Sequence, residues 1–334
     1  MSGGHCPDCV SGAQTVLTGK TVICRELRRR LAHIKKIMPV MAVIGAGVLW
    51  GIISLFIRSL SAGGLDAMQI TLIRLAVAAP ALTATVALMS RKKLRIRLRD
   101  IWMFAGTGIV SIVLFNICYF HTMIKSQASV AVVLLYTSPV FIMLMSALFF
   151  RERITAVKLA AVAMTFGGCV LVAGLSGGSD ITPGILLTGL ASGLFYGLYT
   201  IFGRVALRRY DSLTVTVWTF ILGFLGALPV SRPAATVSTA MTSGRLVLLC
   251  LGIGLVCTVL PYFLYTWGLS RMESSKAAVL VSVEPLVGAV LGMTAYGEDR
   301  SPMKIAGIAL ILGAMMILNL PEREHITGKD APAQ

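Results

Sequence analysis

Long apolar runs separated by short polar breaks dominate the chain from residue 38 to residue 320. A helix rises about 1.5 Å per residue, so each run is long enough to cross a hydrocarbon core of about 30 Å. The pattern therefore predicts ten membrane-spanning helices. Their approximate limits are 38–60, 66–89, 101–122, 127–150, 154–175, 182–204, 212–230, 245–268, 274–296 and 301–320.

The apolar pattern repeats itself at one fixed spacing. Pro139 and Pro285 are 146 positions apart, and so are Glu152 and Glu298, which end the same two runs. A single shift without gaps generates many identities, whereas chance would scatter them over many shifts. The other pairs include Gly47 with Gly193, Gly51 with Gly197, Phe56 with Phe202, Arg58 with Arg204, Gly106 with Gly252, Gly108 with Gly254 and Tyr119 with Tyr265.

Each copy of the repeat contains five predicted spans. Because five is odd, the second copy starts from the opposite side of the membrane, and a two-fold axis in the membrane plane relates the copies. That arrangement is typical of secondary transporters, whose substrate site lies near the midplane between the repeats. The sequence thus predicts an all-α polytopic membrane protein with two inverted five-helix repeats, 38–175 and 182–320. A duplication that only stabilised a helical bundle is the alternative.

Composition agrees with a membrane protein. Hydrophobic residues make up 56% of the chain and charged residues 13%, and the mean hydropathy is +0.84. Soluble domains are typically about 45–50% apolar and about 25% charged. The net charge of +16 would suit a nucleic-acid partner, but most cations lie in short breaks between apolar runs. We therefore expect the lipid bilayer and a small-molecule substrate as partners, and no nucleic acid.

Lysine and arginine are distributed unequally between the two sides. The breaks at 61–65 and 176–181 contain no cation. The positive-inside rule therefore predicts that both termini are cytoplasmic in a multi-pass protein of the plasma membrane. One side holds Arg91, Lys92, Lys93, Arg95, Arg97, Arg99, Arg151, Arg153, Lys158, Arg208, Arg209, Arg271 and Lys276, and the other holds Lys125, Arg232, Arg245, Arg300 and Lys304.

The two ends of the chain are predicted to be cytoplasmic tails, 1–37 and 321–334. Residues 1–24 are polar and aperiodic, so either a disordered tail or a stretch before the true translation start fits them. Residues 25–37 place leucine and isoleucine at helical spacing among six cations. They predict an amphipathic helix at the membrane interface.

The sequence offers little that would serve catalysis or metal binding. Cys6 and Cys9, with His5, resemble half a zinc site, but only Cys24 is near enough to add a ligand, and zinc normally takes four. The sequence contains no nucleophile elbow, no histidine pair with metal spacing and no phosphate loop. We expect no cofactor, no metal and no enzymatic activity, with a membrane-embedded enzyme kept as an alternative.

Glu284 and Arg74 are charged residues deep within predicted spans. A charged side chain at that depth is costly and by default indicates function. Glu284 is a candidate proton carrier, a partner for a cationic substrate group, or a partner for Arg74. It could instead cap backbone groups freed by Pro285. Arg74 is a candidate ligand for a substrate carboxylate, with a structural anchor as the alternative.

Aromatic and polar side chains in the same spans predict the wall of a substrate cavity. Such walls suit flat or cationic solutes, although ordinary packing is an equal alternative at each position. The predicted substrate-binding residues are Trp50, Arg74, Asn116, Tyr119, Tyr136, Tyr196, Tyr199, Tyr262, Tyr265 and Glu284.

Two pairs of repeated residues are candidates for gating. Pro139 and Pro285 are predicted to kink their helices at equivalent depths, which would let the half-helices move; irregular packing is the alternative. Glu152 and Glu298 end their spans on opposite faces of the membrane. Salt bridges there would seal one gate, and a solvated helix end is the alternative.

Taken together, these motifs resemble the EamA-type branch of the drug/metabolite transporter superfamily, over about residues 38–320. The resemblance implies a ten-helix inverted-repeat carrier that moves small metabolites, often amino acids or drugs, usually outward. A non-transporting sensor or scaffold is the alternative from another class. The residues that carry the resemblance are Trp50-Gly51, Arg74, Ser129, Ser138-Pro139, Arg151-Glu152-Arg153, Leu198-Tyr199, Ser275-Lys276-Ala277-Ala278, Glu284-Pro285 and Gly297-Glu298.

Overall fold

The computed structural model describes residues 37–125, 128–173, 182–295 and 301–319. Every regular element in these ranges is helical. The predicted amphipathic helix at 25–37 lies almost wholly outside the described residues, and so does the tail 321–334. The long helices α1 to α10 are, in order, Ile37–Ala62, Ala67–Leu94, Leu98–Lys125, Val130–Phe150, Ala156–Ala173, Pro183–Ala206, Ser212–Val230, Gly244–Leu269, Ser274–Ala295 and Pro302–Asn319.

Eight of these helices are long and apolar enough to cross a membrane. The other two, α5 and α10, are shorter apolar helices that pack against each other. An all-helical, multi-pass membrane protein is thereby confirmed. The layout of ten spans in two inverted repeats remains a prediction. The α-helical part of α2 ends at Ser90, one residue beyond the predicted limit of 89, and a short 3-10 helix, Arg91–Leu94, follows it.

Polar residues in the breaks fix where several helices begin. Asp66 accepts a hydrogen bond from the backbone N–H of Gln69 at 2.8 Å, and the Gln69 side chain accepts one from the Asp66 N–H at 2.9 Å. This reciprocal capping box satisfies donors that the first turn of a helix cannot pair internally. Asp211 caps α7 in a similar way, through the N–H of Thr214 at 2.9 Å. The breaks therefore define the helix ends as well as the membrane boundaries.

The two helices that contain the repeated prolines, α4 and α9, are interrupted in their middle. Proline lacks an N–H and is tolerated best in the first turn of a helix. Pro139 and Pro285 each stand in the first turn of a second half-helix, directly after the interruption. The predicted kinks are thus breaks that precede the prolines. The half-helices are Ala128–Leu135 and Ser138–Phe150 in α4, and Ser274–Val281 and Val283–Ala295 in α9.

Two segments of π-helix occur at matching places in α3 and α8. They span Gly106–Leu114 and Leu255–Val259, and the second corresponds to 109–113 at the repeat spacing. Wider turns of this kind are rare and often stand at functional sites. Here the hydroxyl of Thr258 donates to the carbonyl of Ile253 five residues earlier, at 2.9 Å. Apolar periodicity does not reveal these segments.

Repeated glycines allow helices to touch the breaks in α4 and α9. A Cβ on Gly47 in α1 would lie 2.7 Å from the carbonyl oxygen of Val281, at the break in α9. A Cβ on Gly193 in α6 would lie 2.8 Å from the carbonyl oxygen of Leu134, at the break in α4. Such distances leave no room for a side chain. The first helix of each half therefore packs on the interrupted helix of the other half.

Candidate functional site

A central cavity of about 170 Å³ lies among α1, α2, α3, α4, α6, α8 and α9. Seven of the ten side chains predicted to bind substrate line its wall. Phe115 and Thr71 also line it, although the sequence did not single them out. The seven predicted residues are Trp50, Arg74, Asn116, Tyr119, Tyr196, Tyr262 and Glu284.

The remaining three predicted residues, Tyr136, Tyr199 and Tyr265, line a much smaller cavity of about 20 Å³. The two cavities have wall residues in common, since Trp50 and Tyr196 border both. The central space therefore narrows where these aromatic rings meet. All ten predicted residues border at least one of the two adjoining cavities, while their role in binding substrate remains a prediction.

Glu284 follows the break in α9 directly. It lies in the first turn of the half-helix Val283–Ala295, where the helix dipole favours a negative charge. The hydroxyl of Tyr196 in α6 donates a hydrogen bond to its Oε2 at 3.2 Å. The break thus places a carboxylate on the cavity wall and supplies part of the electrostatic stabilisation that the carboxylate needs.

Arg74 reaches the same cavity from α2. Its Nε donates to the hydroxyl oxygen of Thr258 at 3.0 Å, on the π-helical segment of α8. A guanidinium has five N–H donors, so this bond leaves most of them for other partners. Among the described residues, no salt bridge joins Arg74 to Glu284. The cavity therefore presents a cation and an anion that do not neutralise each other by direct contact.

Aromatic rings pack closely where the two cavities adjoin. The ring of Trp50 lies 5.0 Å from that of Tyr262, at an interplanar angle of 76°. Tyr199 makes a similar edge-to-face contact with Tyr262 at 5.2 Å. Edge-to-face pairs of this kind add about 0.5–1.5 kcal/mol to what burial alone contributes. The rings form a rigid constriction on one side of the charged pair.

Three of the predicted polar residues use their polar groups inside the protein. The hydroxyls of Tyr199 and Thr266 are 2.8 Å apart, and those of Tyr265 and Thr200 are 2.6 Å apart, so two bonds tie α6 to α8. The Asn116 side-chain amide donates to a carbonyl of its own helix at 2.7 Å. Tyr199, Tyr265 and Asn116 therefore border the cavities, but their polar groups are already hydrogen-bonded within the protein.

Glu152 caps the first turn of α9. Its Oε1 accepts the N–H of Ser274 at 2.9 Å, and its Oε2 accepts the hydroxyl of Ser275 at 2.7 Å. Beside it, Lys158 forms a salt bridge with Glu273 at 2.5 Å. The beginning of α9 is therefore fastened to the end of α4 by a helix cap and to the first turn of α5 by an ion pair. The repeat-equivalent Glu298 lies outside the described residues.

Further helix ends meet on the same side as Glu152. The guanidinium of Arg204, near the end of α6, donates to the carbonyl of Leu269 at 3.1 Å and to the carbonyl of Met272. It thereby satisfies one carbonyl in the last turn of α8 and one in the connection that follows. These contacts close the bundle at this end.

The fold and the site together define a multi-pass helical membrane protein with a charged, aromatic cavity near mid-helix. The chain belongs to the EamA-like transporter family, whose sequence profile matches it twice, over residues 37–174 and 182–320. The family resemblance drawn from the sequence is thereby confirmed, and with it the class of membrane transporter.

Relatives of known sequence are consistent with this assignment. An uncharacterised transporter of Archaeoglobus fulgidus is 26% identical over 280 residues, which covers 83% of this chain and 94% of the relative. A probable terminal-alkyne amino-acid exporter of Streptantibioticus cattleyicolor is 25% identical over 261 residues, covering 77% and 85% respectively. A solved crystal structure shares the fold with a TM-score of 0.69 at 19% identity, covering 84% of this chain and 96% of that one.

Proposed function

We propose that the protein is a secondary carrier that exports amino acids or closely related small compounds. It would work by alternating access between two inverted repeats of five helices, with ten spans in all. Membership of a transporter family and the similarity to a probable amino-acid exporter support this proposal. The observation that carries it is the presence of Arg74 and Glu284 on the wall of one cavity.

An amino acid has an ammonium group and a carboxylate, and the cavity offers a partner for each. Glu284 binds the ammonium group, and Arg74 binds the carboxylate through N–H donors that Thr258 does not occupy. A cavity of about 170 Å³ is smaller than the roughly 300–1,000 Å³ of sites for drug-sized ligands, so it suits a small solute. The adjoining rings contact the substrate side chain.

Glu284 also accounts for energy coupling in this proposal. One carboxylate cannot hold a proton and pair with an ammonium group at the same time. Substrate release therefore leaves Glu284 free to take up a proton, and protonation discourages rebinding. The carrier then exchanges one substrate for one proton per cycle, so an inward proton gradient drives export.

The contacts around Glu152 support an outward-facing conformation. The central cavity extends along Ile57 and Ala67, which flank the connection between α1 and α2. The cap on α9 closes the bundle at the end of α4, which in the ten-span topology faces the cytoplasm. Opening toward the cytoplasm then requires Glu152 to release Ser274 and Ser275. The breaks before Pro139 and Pro285 let the half-helices tilt.

The matching glycine contacts support the inverted-repeat part of the proposal. The contact of Gly47 with α9 has its counterpart in the contact of Gly193 with α4, at the repeat spacing. If the two halves have similar structures with opposite orientation, each contact in one half has a partner in the other. Two arrangements of nearly equal energy, one open to each side, follow from that symmetry. Both chain ends are then cytoplasmic.

A flux assay in proteoliposomes tests the proposal. The full chain is reconstituted, and uptake of radiolabelled neutral amino acids is measured with a proton gradient of either sign. For each amino acid, the corresponding amide and the decarboxylated amine serve as competitors. We expect saturable transport that the free amino acid inhibits best. Flux that rises linearly with substrate concentration would contradict the proposal. Equal inhibition by the free amino acid, the amide and the amine would contradict it as well.

A further inference from the structure

A larger cavity lies away from the central site, between the α2–α3 connection, the start of α3 and the α6–α7 connection. It encloses about 1170 Å³ and opens where the chain passes from α2 into α3. Four of the eight residues that line it are arginines. These are Arg95, Arg97, Arg99 and Arg209, and Asp100, Ile96, Trp102 and Tyr210 complete the wall.

The backbone conformation around Ile96 places its two neighbouring arginines on the same side of the chain. It is extended at Arg95, with φ −82° and ψ 122°, and at Arg97, with φ −85° and ψ 133°. Successive side chains of an extended chain point to opposite sides. Ile96 therefore packs into an apolar cluster with Phe104, while the arginines on either side of it are exposed. Arg95 and Arg97 therefore lie on one side of this segment, and Arg99, in the short 3-10 helix Leu98–Asp100, borders the same cavity.

Hydrogen bonds from α7 and the α6–α7 connection hold this segment in place. The indole N–H of Trp218 donates to the carbonyl of Leu94 at 3.1 Å. The hydroxyl oxygen of Tyr210 accepts the N–H of Arg97 at 3.2 Å. The cationic segment is thus bound to the helical bundle on both sides of Arg95. Its charges keep a defined arrangement that a free loop would not have.

The cavity has an excess of positive charge. Asp100 is only 2% exposed, and Arg209 and Tyr210 already bind its carboxylate, at 2.5 Å and 2.7 Å. In the described part of the chain, neither Arg95 nor Arg99 takes part in a salt bridge. Their guanidinium groups remain available for an anion from outside the protein.

Exposed apolar residues next to the arginines indicate what kind of anion this is. Leu98 is 83% exposed and Trp102 is 50% exposed, at the start of a membrane-spanning helix. Tryptophan at such a position is typical of the boundary between headgroups and acyl chains. A cluster of cations directly above an apolar surface matches a molecule with a charged head and an apolar tail.

The repeat shows that the fold itself does not require this cluster. At the repeat spacing, Met241 corresponds to Arg95 and Ser243 to Arg97, whereas Arg99 has an arginine counterpart, Arg245. The positive-inside rule accounts for cations on this side, but it does not account for three arginines around one cavity. The second half keeps one of the three arginines, so the cluster of three occurs in the first half only.

We propose that this cavity is a binding site for an anionic phospholipid of the leaflet on the side predicted to be cytoplasmic. Arg95, Arg97 and Arg99 bind the phosphate of the headgroup through charge-assisted hydrogen bonds. The acyl chains lie along Leu98 and Trp102. The lipid is held between the α2–α3 connection and the start of α3.

Native mass spectrometry of the full chain tests this site. The protein is exposed to equal amounts of phosphatidylglycerol and phosphatidylcholine, and the retained lipid is counted. The test variant is Arg95→Gln/Arg97→Gln/Arg99→Gln. The matched control, Arg91→Gln/Lys92→Gln/Arg153→Gln, removes three cations from the same predicted side without touching the cavity wall.

We expect the wild-type chain and the control to prefer phosphatidylglycerol at least about tenfold, and the test variant to lose that preference. Should the triple variant fail to fold, single changes at Arg95 and Arg99 are expected to weaken the preference separately. An equal loss of the preference for phosphatidylglycerol in the test and control variants would overturn the proposal. So would a wild-type preference that disappears when millimolar inorganic phosphate is added. A wild-type chain without any preference would also overturn it.

Discussion

The hydroxyl of Tyr196 donates a hydrogen bond to Oε2 of Glu284 across 3.2 Å, from α6 to the broken helix α9. Both residues line the central cavity. The bond holds the carboxylate toward that space, at the N-terminus of a half-helix. A substrate ammonium group would therefore meet a carboxylate that is already oriented, so less ordering is needed on binding.

Changing Glu284→Gln is expected to abolish most amino-acid transport. Removing one partner of a buried charge pair weakens binding by about 2 kcal/mol or more, which corresponds to at least about 30-fold. Stimulation by a proton gradient is expected to disappear as well, because the amide cannot take up a proton. Flux in proteoliposomes with and without the gradient measures both effects. Unchanged dependence on the gradient would exclude Glu284 as the proton carrier.

Removing only the Tyr196 hydroxyl, in Tyr196→Phe, is expected to raise the apparent KM at least about tenfold, because hydrogen bonds to charged groups contribute about 1.5–3 kcal/mol. Tyr199→Phe is the matched control, since its hydroxyl bonds to Thr266 instead of Glu284. The control should lower thermal stability with little effect on KM. Similar changes in KM for both variants would mean that the Tyr196 bond has no special role.

Replacing Arg74→Gln should change substrate preference more than stability. We expect transport of a free amino acid to fall at least about tenfold, while transport of the corresponding amide changes little, because only the free acid pairs with the guanidinium. Thr258→Val is the control, since it removes the Nε partner and leaves the charge. If acid and amide lose transport equally, Arg74 is a structural anchor.

The helices could be predicted well from the sequence because a membrane span depends on hydropathy, which is summed over about twenty residues. The runs at 212–230 and 182–204 became α7 and α6, with ends within about two residues. The grouping of Arg74 with Glu284 was also foreseeable, since both lie deep in spans. A costly charge at that depth is retained where it has a partner or a function.

The details of the site were less predictable because they depend on single contacts between distant residues. The sequence predicts either a salt bridge or a solvated helix end at Glu152, whereas its carboxylate caps α9 through Ser274 and Ser275. The π-helical segments and the bonds of Tyr199 and Tyr265 to threonines have no signature in the apolar pattern. Only the packed structure brings these groups together.

Weakening the cap on α9, by Glu152→Gln, is expected to loosen the first turn of that helix. A helix cap contributes about 1 kcal/mol, so amide hydrogen exchange over 274–281 should become about fivefold faster. Glu273→Gln, which removes the neighbouring salt bridge, should have a smaller effect because its carboxylate is half exposed. Equal exchange in wild type and Glu152→Gln would show that the cap does not hold the closed end.

Adding a methyl group at Gly193 should destabilise the bundle. A Cβ there would lie 2.8 Å and 3.1 Å from the carbonyl oxygens of Leu134 and Leu135, so α6 and α4 would have to separate. We expect Gly193→Ala to lower stability by about 1–3 kcal/mol. Gly167→Ala, with nothing within 4 Å of its Cβ, is the control and should be neutral or stabilising. Thermal unfolding in detergent compares the two, and equal stability would contradict the close approach.

Counterflow in proteoliposomes tests the central claim most directly, because it detects a single site that alternates between two sides. Liposomes are loaded with an unlabelled amino acid and diluted into a trace of the labelled compound. The account predicts a transient accumulation of label in wild type that Glu284→Gln and Arg74→Gln reduce strongly. Label that only equilibrates, with no overshoot for any amino acid that the wild-type protein transports, would contradict it.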